Sequence, residues 1–356
     1  MASIYGKNYT KQQLMRYVGS MSALAGVRSA TLNSGKSDTV KIHEVTSGDL
    51  AFTLAESKNL DMVDLKYKGM PLNFTSSVGG VVNHGLSDQH VFNFLYDNAG
   101  GMLYTAGYSN VGSMFGDDET EPFHGRIRFQ PANNIKIISE WQGDDYVVGV
   151  QGETRETGLF KQNVCAVRTV STRLGSKDID IHTVVENQSF REQPLMNLLH
   201  INCGFPIVDN GAKVYVAYSS AEPLNDEGAA DMDTRFDIVE PDIQRSESLT
   251  LHHLRSDKDG YTYAAVYNPS KMLGLAIAFK TEQYPMLIEW KCMMPGCYIM
   301  GLLPTNSGLG GQEVERTAGT LRLLKPFESA VMDMRLSVLD GESDFNDFMK
   351  HYKGCI

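Results

Sequence analysis

The amino-acid sequence predicts a mainly β protein built from large antiparallel sheets. Apolar and polar residues alternate with a period of two in many short runs, which Gly, Asn, Asp or Pro residues bound. Few windows show the period of an amphipathic helix, and this favours antiparallel sheets over an alternating α/β fold. The predicted strands are residues 39–46, 50–54, 62–67, 135–141, 146–151, 164–171, 179–186, 195–203, 213–218, 261–267, 273–280, 286–291, 297–302, 321–324 and 329–339.

Helical patterns occur near the two ends of the chain. Residues 10–25 place several apolar side chains on one face, with Thr10 as the N-cap, so we expect residues 1–30 to form a leading helical segment. Residues 344–352 are also amphipathic, which predicts a short helix or an ordered tail.

The length of 356 residues suits one large β domain or two fused sheet systems. Residues 219–248 interrupt the strand pattern and are rich in Asp, Glu, Ala and Ser. They predict a long acidic loop over one end of a sheet. Such a loop is either one wall of a site or a solvated excursion.

Charge and composition narrow the function classes. The formal net charge is −11 and the basic residues are scattered, so nucleic acid is not an expected partner. No apolar window has the length of a signal peptide or a membrane span, which predicts a cytoplasmic protein without membrane contact. Five cysteines, an odd number, predict thiols in a reducing compartment. The Cys292 and Cys297 spacing lacks the second ligand pair of a zinc knuckle.

Three short motifs carry the strongest functional signal: residues 124–128 (His-Gly-Arg-Ile-Arg), 200–204 (His-Ile-Asn-Cys-Gly) and 298–304 (Tyr-Ile-Met-Gly-Leu-Leu-Pro). Each lies beside an apolar, β-prone run. Strands fix the position of the side chains they carry, so polar groups that are distant in sequence can converge on one ligand. This arrangement is typical of a carbohydrate site on a β-sandwich.

An ordered set of segments gives the chain a family resemblance. These are residues 60–62, 67–71, 100–107, 122–127, 131–132, 194–206 and 301–306. With them the chain resembles the aldose 1-epimerase (galactose mutarotase-like) superfamily and, more narrowly, the bacterial branch named DUF4432. The resemblance implies a supersandwich of two large antiparallel sheets, formed by one domain over residues 1–356, with a sugar cleft on the concave sheet face.

The resemblance also implies site residues. In mutarotases of this superfamily a histidine protonates the ring oxygen while a glutamate removes the anomeric proton. His200 matches the family's acid, and His124 with Arg126 matches residues that hold sugar hydroxyls. Asn202 lies two residues beyond His200 in a predicted strand, so it points to the same face. His252 matches a histidine that follows the long loop in this branch.

Two departures from the family pattern affect the expected chemistry. Leu303 stands before Pro304 where the family has a glutamate, and leucine cannot accept a proton. Lys58 stands in place of a family arginine; it can keep the charge but not the planar two-pronged geometry. Glu289 and Glu313 are the candidate replacements for the missing base, although a glutamate in either place is also an ordinary surface residue.

The resulting hypothesis is a carbohydrate-active isomerase that acts at or near the anomeric carbon. His200 is the principal acid or base, and a small carbohydrate is the expected partner; a homo-oligomer is left open. A sugar-binding or regulatory protein without turnover is the rival, and epimerisation at another carbon or an elimination is a further alternative. A divalent metal on His124, His200 and His252 lacks a supporting motif, so neither metal nor organic cofactor is predicted.

Four further residues have two interpretations. Trp141 and Trp290 either stack on a sugar or lie in the core, and the core is the commoner outcome. His84 and His90 are interpreted as loop histidines rather than as members of the site.

Overall fold

This computed structural model describes residues 1–83, 94–113 and 121–356. Within these ranges the fold is mainly β, as predicted, and every predicted strand overlaps an observed strand. His84 and His90 lie outside the described residues. None of the helices in these ranges has the length and apolarity needed to span a bilayer.

In the N-terminal part, a hairpin and a short helix precede a five-stranded antiparallel sheet. The elements are β1 (Ala2–Ile4), β2 (Lys7–Tyr9), α1 (Lys11–Leu14), β3 (Ala25–Thr31), β4 (Lys41–Ser47), β5 (Leu50–Ala55), β6 (Asp61–Tyr67) and β7 (Met70–Pro71).

The rest of the chain forms two larger sheets. The next elements are α2 (Phe94–Asp97), β8 (Leu103–Tyr108), β9 (Ala132–Gln142), β10 (Asp145–Thr157), β11 (Asn163–Arg173), β12 (Asp178–Asn187), β13 (Gln193–Pro194), β14 (Met196–Cys203), β15 (Lys213–Val216) and β16 (Tyr218–Pro223). They are followed by α3 (Asp226–Asp231), β17 (Glu247–Leu254), β18 (Tyr261–Asn268), β19 (Leu273–Lys280), β20 (Met286–Met294), β21 (Cys297–Thr305), α4 (Gln312–Ala318), β22 (Leu323–Leu324), β23 (Ser329–Asp340) and α5 (Glu342–Lys353).

The strand order defines the sheets. The six-stranded sheet runs β16-β17-β20-β21-β14-β8, and the eight-stranded sheet runs β15-β18-β19-β23-β12-β11-β10-β9. The five-stranded sheet keeps the chain order from β3 to β7. Apolar side chains from all three sheets form one common core, so one face of the six-stranded sheet is covered by the others.

The two faces of the six-stranded sheet differ. Ile201 of β14 points into the common core, whereas Leu198, Ile288 and Leu303 form a separate apolar cluster on the opposite face. Successive side chains of a strand point to opposite faces. His200, which precedes Ile201, therefore lies on the second face, which we call the His200 face.

The leading helix is shorter than predicted. Thr10 is the N-cap, as expected, and forms a capping box with Gln13, but α1 ends at Leu14. The later part of residues 1–30 contains β3. The prediction of a helical segment over this whole range is therefore wrong.

The end of the helical pattern has a local cause. Gly19 is a poor helix former because its backbone loses the most freedom on ordering. Ser20 then caps a separate 3-10 turn, Met21–Ala23, by accepting a hydrogen bond from the main-chain N–H of Ser22. At the other end of the chain, α5 confirms the predicted C-terminal helix.

The acidic segment 219–248 is not a single long loop, which corrects that prediction. It contains most of β16, all of α3 and the start of β17. Nζ of Lys291, from β20, donates to the carbonyl oxygens of Thr234 and Arg235 at 3.1 Å each and forms an ion pair with Asp231. The buried lysine therefore fastens the segment to the core face of the six-stranded sheet.

A buried ion pair connects all three sheets. Oδ1 of Asp61, the first residue of β6, lies 2.9 Å from Nη1 of Arg168 in β11. Thr105 of β8 donates to the same carboxylate, from its hydroxyl at 2.7 Å and its main-chain N–H at 3.0 Å. Buried charges are costly unless they are paired and hydrogen-bonded, so each sheet depends on the partner groups that the others supply.

Arg168→Met should lower the free energy of unfolding by about 3–5 kcal/mol, because Asp61 would stay buried without its partner. Urea titrations followed by circular dichroism measure this loss. Arg335→Met is the matched control: Nε of Arg335 lies 2.7 Å from Oδ1 of Asp180, and the two side chains are 49% and 40% exposed. The control should cost less than about 1 kcal/mol, and equal losses in the two variants would contradict the role of the buried pair.

Candidate functional site

His200 lies on β14 of the six-stranded sheet, between β21 and the edge strand β8. It is 6% exposed. Tyr104 is its direct cross-strand partner on β8, and the two rings are stacked with their centroids 4.4 Å apart. The Trp290 ring meets the imidazole edge-to-face at 5.2 Å. Trp290 therefore lines the His200 face, and its predicted stacking on a sugar stays a prediction.

One ring nitrogen of His200 is held by a hydrogen bond. Nδ1 lies 2.5 Å from Oδ1 of Asn202. Nδ2 of Asn202 in turn donates to the carbonyl oxygen of Gly101 at 3.1 Å. Asn202 thus lies on the same face as His200, as strand alternation predicted. Its side chain fixes the orientation of the imidazole through this hydrogen bond.

His124 reaches the same face from a loop. Its main-chain N–H donates to the carbonyl oxygen of Gly112 at 3.0 Å, and its carbonyl accepts from the N–H of Gly107 at 3.1 Å. The N–H of Gly112 donates to Nδ1 of the His124 ring at 3.2 Å. The ring centroids of His124 and His200 lie 6.3 Å apart, so the structure brings these two predicted site residues together.

Gly125 allows the His124 loop to approach β8. It has a φ of +74°, and an added Cβ would lie 2.2 Å from the carbonyl oxygen of Gly107 and 2.5 Å from that of Asn110. A larger residue would therefore push the loop away from the sheet. These close contacts explain why the residue between His124 and Arg126 is a glycine.

Burial governs the charge of both histidines. It lowers the pKa of His200 to about 3, and the hydrogen bond with Asn202 acts in the opposite direction. Burial also lowers the pKa of His124 well below its usual value, and the charges of His200 and Arg128 act in the same direction. Both imidazoles are therefore neutral at neutral pH.

Arg128, rather than Arg126, is the arginine whose charge acts on His124. Nε of Arg126 lies 3.4 Å from Oε2 of Glu121, and the Ser109 hydroxyl donates to the same oxygen at 3.0 Å. This ion pair ties together the two ends of the His124 loop. The predicted role of Arg126 in holding a sugar stays a prediction.

His252 and Glu289 lie on the core face of the sheet, which corrects the expectation that they share one site with His200. Glu289 precedes Trp290 on β20. Because Trp290 contacts His200, the side chain of Glu289 points to the opposite face, toward the core. Nε2 of His252 lies 2.9 Å from Oε2 of Glu289, and both side chains are buried. Burial raises the pKa of Glu289, and the hydrogen bond with His252 opposes this rise.

Glu313 lies on α4, is exposed, and its Oε1 is 3.7 Å from Nε of Arg316. Among the described residues its ion-pair partner is thus Arg316, and it makes no recorded contact with His200. Within the described ranges, no group of three or more His, Cys, Asp or Glu side chains is arranged to hold a metal ion. The three histidines considered for a metal do not converge, because His252 lies on the core face.

Leu303, which replaces the expected glutamate, does lie on the His200 face. It belongs to the apolar cluster there and is 2% exposed. Its cross-strand neighbour on β20 is Ile288. This part of the face is therefore an apolar floor.

A groove of about 860 Å³ lies elsewhere, on the outer face of the eight-stranded sheet beside α5. Charged side chains along it are paired with each other: Arg335 with Asp180 and His182 with Asp333, each at 2.7 Å. We assign the candidate site to the His200 face, because there two histidines from distant segments meet.

Sequence reasoning missed Tyr104 and Arg128 as members of the site. Within residues 124–128 the family resemblance assigned roles to His124 and Arg126 and none to Arg128. His124 has a φ of +62° and a 3-10 turn, Ile127–Phe129, follows, so strand alternation does not decide where the Arg128 side chain lies. The run containing Tyr104 is apolar and gave no signal of a polar site.

Solved structures share this architecture. A presumed aldose 1-epimerase from Klebsiella pneumoniae is 23% identical, with a TM-score of 0.88 over 92% of this chain and 87% of that chain. A galactose mutarotase-like protein from Clostridium acetobutylicum is 18% identical, with a TM-score of 0.60 over 89% and 99%. Galactose 1-epimerase from Lactobacillus acidophilus is 10% identical, with a TM-score of 0.60 over 89% and 100%.

No curated protein sequence matches this chain. Residues 37–338 match the family described as domain of unknown function DUF4432. The chain therefore belongs to the DUF4432 family and has the galactose mutarotase-like fold that its sequence resemblance predicted.

Proposed function

We propose that the protein is a carbohydrate isomerase that interconverts the anomers of a small sugar by proton transfer on the His200 face. The observation that carries this proposal is a pair of neutral imidazoles, 6.3 Å apart, whose hydrogen bonds select opposite tautomers. The galactose mutarotase-like fold of the solved neighbours supports carbohydrate chemistry at this place.

The tautomer of His200 follows from its partners. A carbonyl oxygen can only accept, so the amide nitrogen of Asn202 must face Gly101 and its oxygen must face His200. Nδ1 of His200 must then carry the proton. Nε2 keeps its lone pair and is the nitrogen available as a base.

The tautomer of His124 is the reverse. A main-chain N–H can only donate, so the N–H of Gly112 requires Nδ1 of His124 to accept. The neutral ring then carries its proton on Nε2. His124 is therefore a hydrogen-bond donor, and His200 is a proton acceptor.

This pair suits ring opening at an anomeric carbon. Nε2 of His200 takes the proton of the anomeric hydroxyl while the carbonyl forms, and the electron pair of the breaking ring bond goes to the ring oxygen. The same imidazolium then protonates the ring oxygen, which had been bonded to that carbon. Nε2–H of His124 stabilises the negative charge that develops there, as a neutral imidazole can.

The low pKa of His200 affects the two halves of the reaction differently. It weakens the base in the first proton transfer, but it makes the protonated imidazole a stronger acid for the second. After rotation about the neighbouring carbon bond, the reverse steps close the ring as the other anomer. No carboxylate takes part, which agrees with Leu303 in the apolar floor.

The tautomers are directly measurable. Long-range proton–nitrogen correlation spectra of ¹⁵N-histidine-labelled protein at pH 7 should show Nε2 of His200 and Nδ1 of His124 without protons. His200→Gln and His124→Gln assign the signals. Asn202→Ala should release His200 to a mixture of tautomers, because its Nδ1 loses its acceptor. The same tautomer for both histidines in the wild type would contradict the proposed roles.

His200→Gln should reduce anomer exchange by about 10²- to 10⁴-fold, the usual contribution of a positioned acid or base. Saturation-transfer NMR on a panel of reducing sugars measures the exchange and detects binding in the same sample. Because the variant lacks the Nε2 base, the rate of anomer exchange should fall far more than the affinity for the sugar.

Two glutamate variants are the matched controls for this experiment. Glu313→Gln alters an exposed helix residue, and Glu289→Gln alters the core face. Exchange should stay within about twofold of the wild type in the folded variants. Wild-type binding without exchange would instead support the rival, a sugar-binding protein, for which the buried Leu303 is the specific argument.

The pH profile is the next expectation. The base is the neutral form of His200, so kcat/KM should fall as pH falls through the lowered pKa of about 3, not near 6.5. With a neutral sugar and the spontaneous rate subtracted, kcat/KM should be constant from pH 8 down to about 5. An acidic limb centred near pH 6.5 would contradict this assignment, because it would indicate an unburied histidine.

A further inference from the structure

The hydrogen bond that fixes the His124 ring comes from the main chain of Gly112. The N–H of Gly112 donates to Nδ1 of His124 at 3.2 Å, and its carbonyl oxygen accepts from the main-chain N–H of His124 at 3.0 Å. Gly112 has no side chain that could anchor it. The groups that hold its main chain in place therefore also hold the imidazole.

Asn110 joins the two chain segments on either side of this contact. It is buried, and its Nδ2 donates to the carbonyl oxygens of Ser113 at 2.7 Å and of Pro122 at 3.2 Å. Ser113 follows Gly112, and Pro122 lies two residues before His124. One amide group therefore binds both the segment that carries the donor and the segment that carries the ring.

The oxygen of the same amide connects this loop with α4. Oδ1 of Asn110 accepts from the main-chain N–H of Gln312, the first residue of α4, at 2.9 Å. A carbonyl oxygen can only accept and an N–H can only donate, so all three contacts require the same orientation of the amide. An aspartate would lack the two donors, and a leucine would lack all three contacts.

The turn before α4 also contacts Gly112 directly. Gly112 and Gly310 form a β-bridge, and the N–H of Ser113 donates to the carbonyl oxygen of Leu309 at 2.9 Å. A Cβ added to Gly112 would lie 2.0 Å from that oxygen, so a larger residue would force the two main chains apart. Gly112 is thus held between this turn and His124.

We propose that Asn110 is a positioning residue of the site, which holds Gly112 so that its N–H keeps the His124 ring in one place with the proton on Nε2. The proposal rests on the proposed function for its effect on turnover. Without the amide, the segments of Ser113 and Pro122 lose the group that joins them. The Gly112 N–H is then no longer directed at Nδ1, and His124 is released from a single tautomer and a single position.

Nitrogen NMR tests this role without a sugar. Asn110→Leu is nearly isosteric and removes all three hydrogen bonds. In long-range proton–nitrogen spectra at pH 7, the Nδ1 and Nε2 shifts of His124 should move toward each other, as in a ring that exchanges between tautomers, while His200 keeps its proton on Nδ1. If Asn110→Leu does not fold, Asn110→Asp, which loses only the two donors, should give the same change.

Asn187→Leu is the matched control. Asn187 is also buried, and its Nδ2 donates to the carbonyl oxygens of Arg191, Leu324 and Lys325 at 2.8, 2.9 and 3.0 Å, none of which belongs to the loop that carries His124. The control should leave both histidine tautomers as in the wild type. An unchanged His124 signal in a folded Asn110 variant overturns the inference, and so does an equal shift in the control.

Anomer exchange separates this inference from the proposed function. In Asn110→Leu, kcat should fall about 10- to 100-fold because a group near the reacting atoms is misplaced. KM should stay within about threefold, since the charge on the ring oxygen develops only after binding. Wild-type kcat in a variant whose His124 tautomer is altered overturns the positioning role and leaves the isomerase. If the tautomer is altered but the wild type exchanges no sugar, the hold of Asn110 on His124 is supported and the isomerase is overturned.

Discussion

The ion pair of Asp61 and Arg168 is the contact on which the rest of the site depends. It joins β6 to β11, and the hydrogen bonds of Thr105 add β8, so one buried carboxylate holds strands of three sheets. This contact also decides which way β8 faces. Because the Thr105 side chain turns inward to Asp61, the preceding Tyr104 must turn outward, where it stacks on His200. The buried charge and the stacked rings are thus two consequences of one strand orientation.

Strand alternation also separates two pairs of titratable side chains. His124 and His200 meet on one face of the six-stranded sheet, and His252 and Glu289 meet on the other. On β20, Trp290 faces His200 while Glu289 faces the core and meets His252. A shift of one residue would exchange these roles, since side chains alternate with a period of exactly two. The carboxylate that chemical reasoning would choose as the replacement base is therefore already satisfied in the core, and the function has to be argued from the histidines.

Much of the fold was readable from the sequence because alternation and turn residues are local signals. The strands were predicted from these signals. The family resemblance predicted that His124 and His200 belong to one site. Which face Glu289 occupies was not readable, since this depends on the pairing of strands that are distant in the chain. The 3-10 turn that contains Arg128 had no signal in the strand pattern, and β3 was missed because residues 10–25 have a helical pattern. Tertiary contacts thus decided the face of Glu289, whereas local caps and turns decided the other two cases.

Burial acts on the two histidines of the site in one direction. It lowers the pKa values of His124 and His200, so both imidazoles are neutral at neutral pH. A neutral imidazole can carry its proton on either nitrogen, and the hydrogen bonds with Asn202 and Gly112 decide which nitrogen of each ring donates and which accepts. Burial therefore removes the charge from the pair, and the neighbouring amide groups give the two rings different roles.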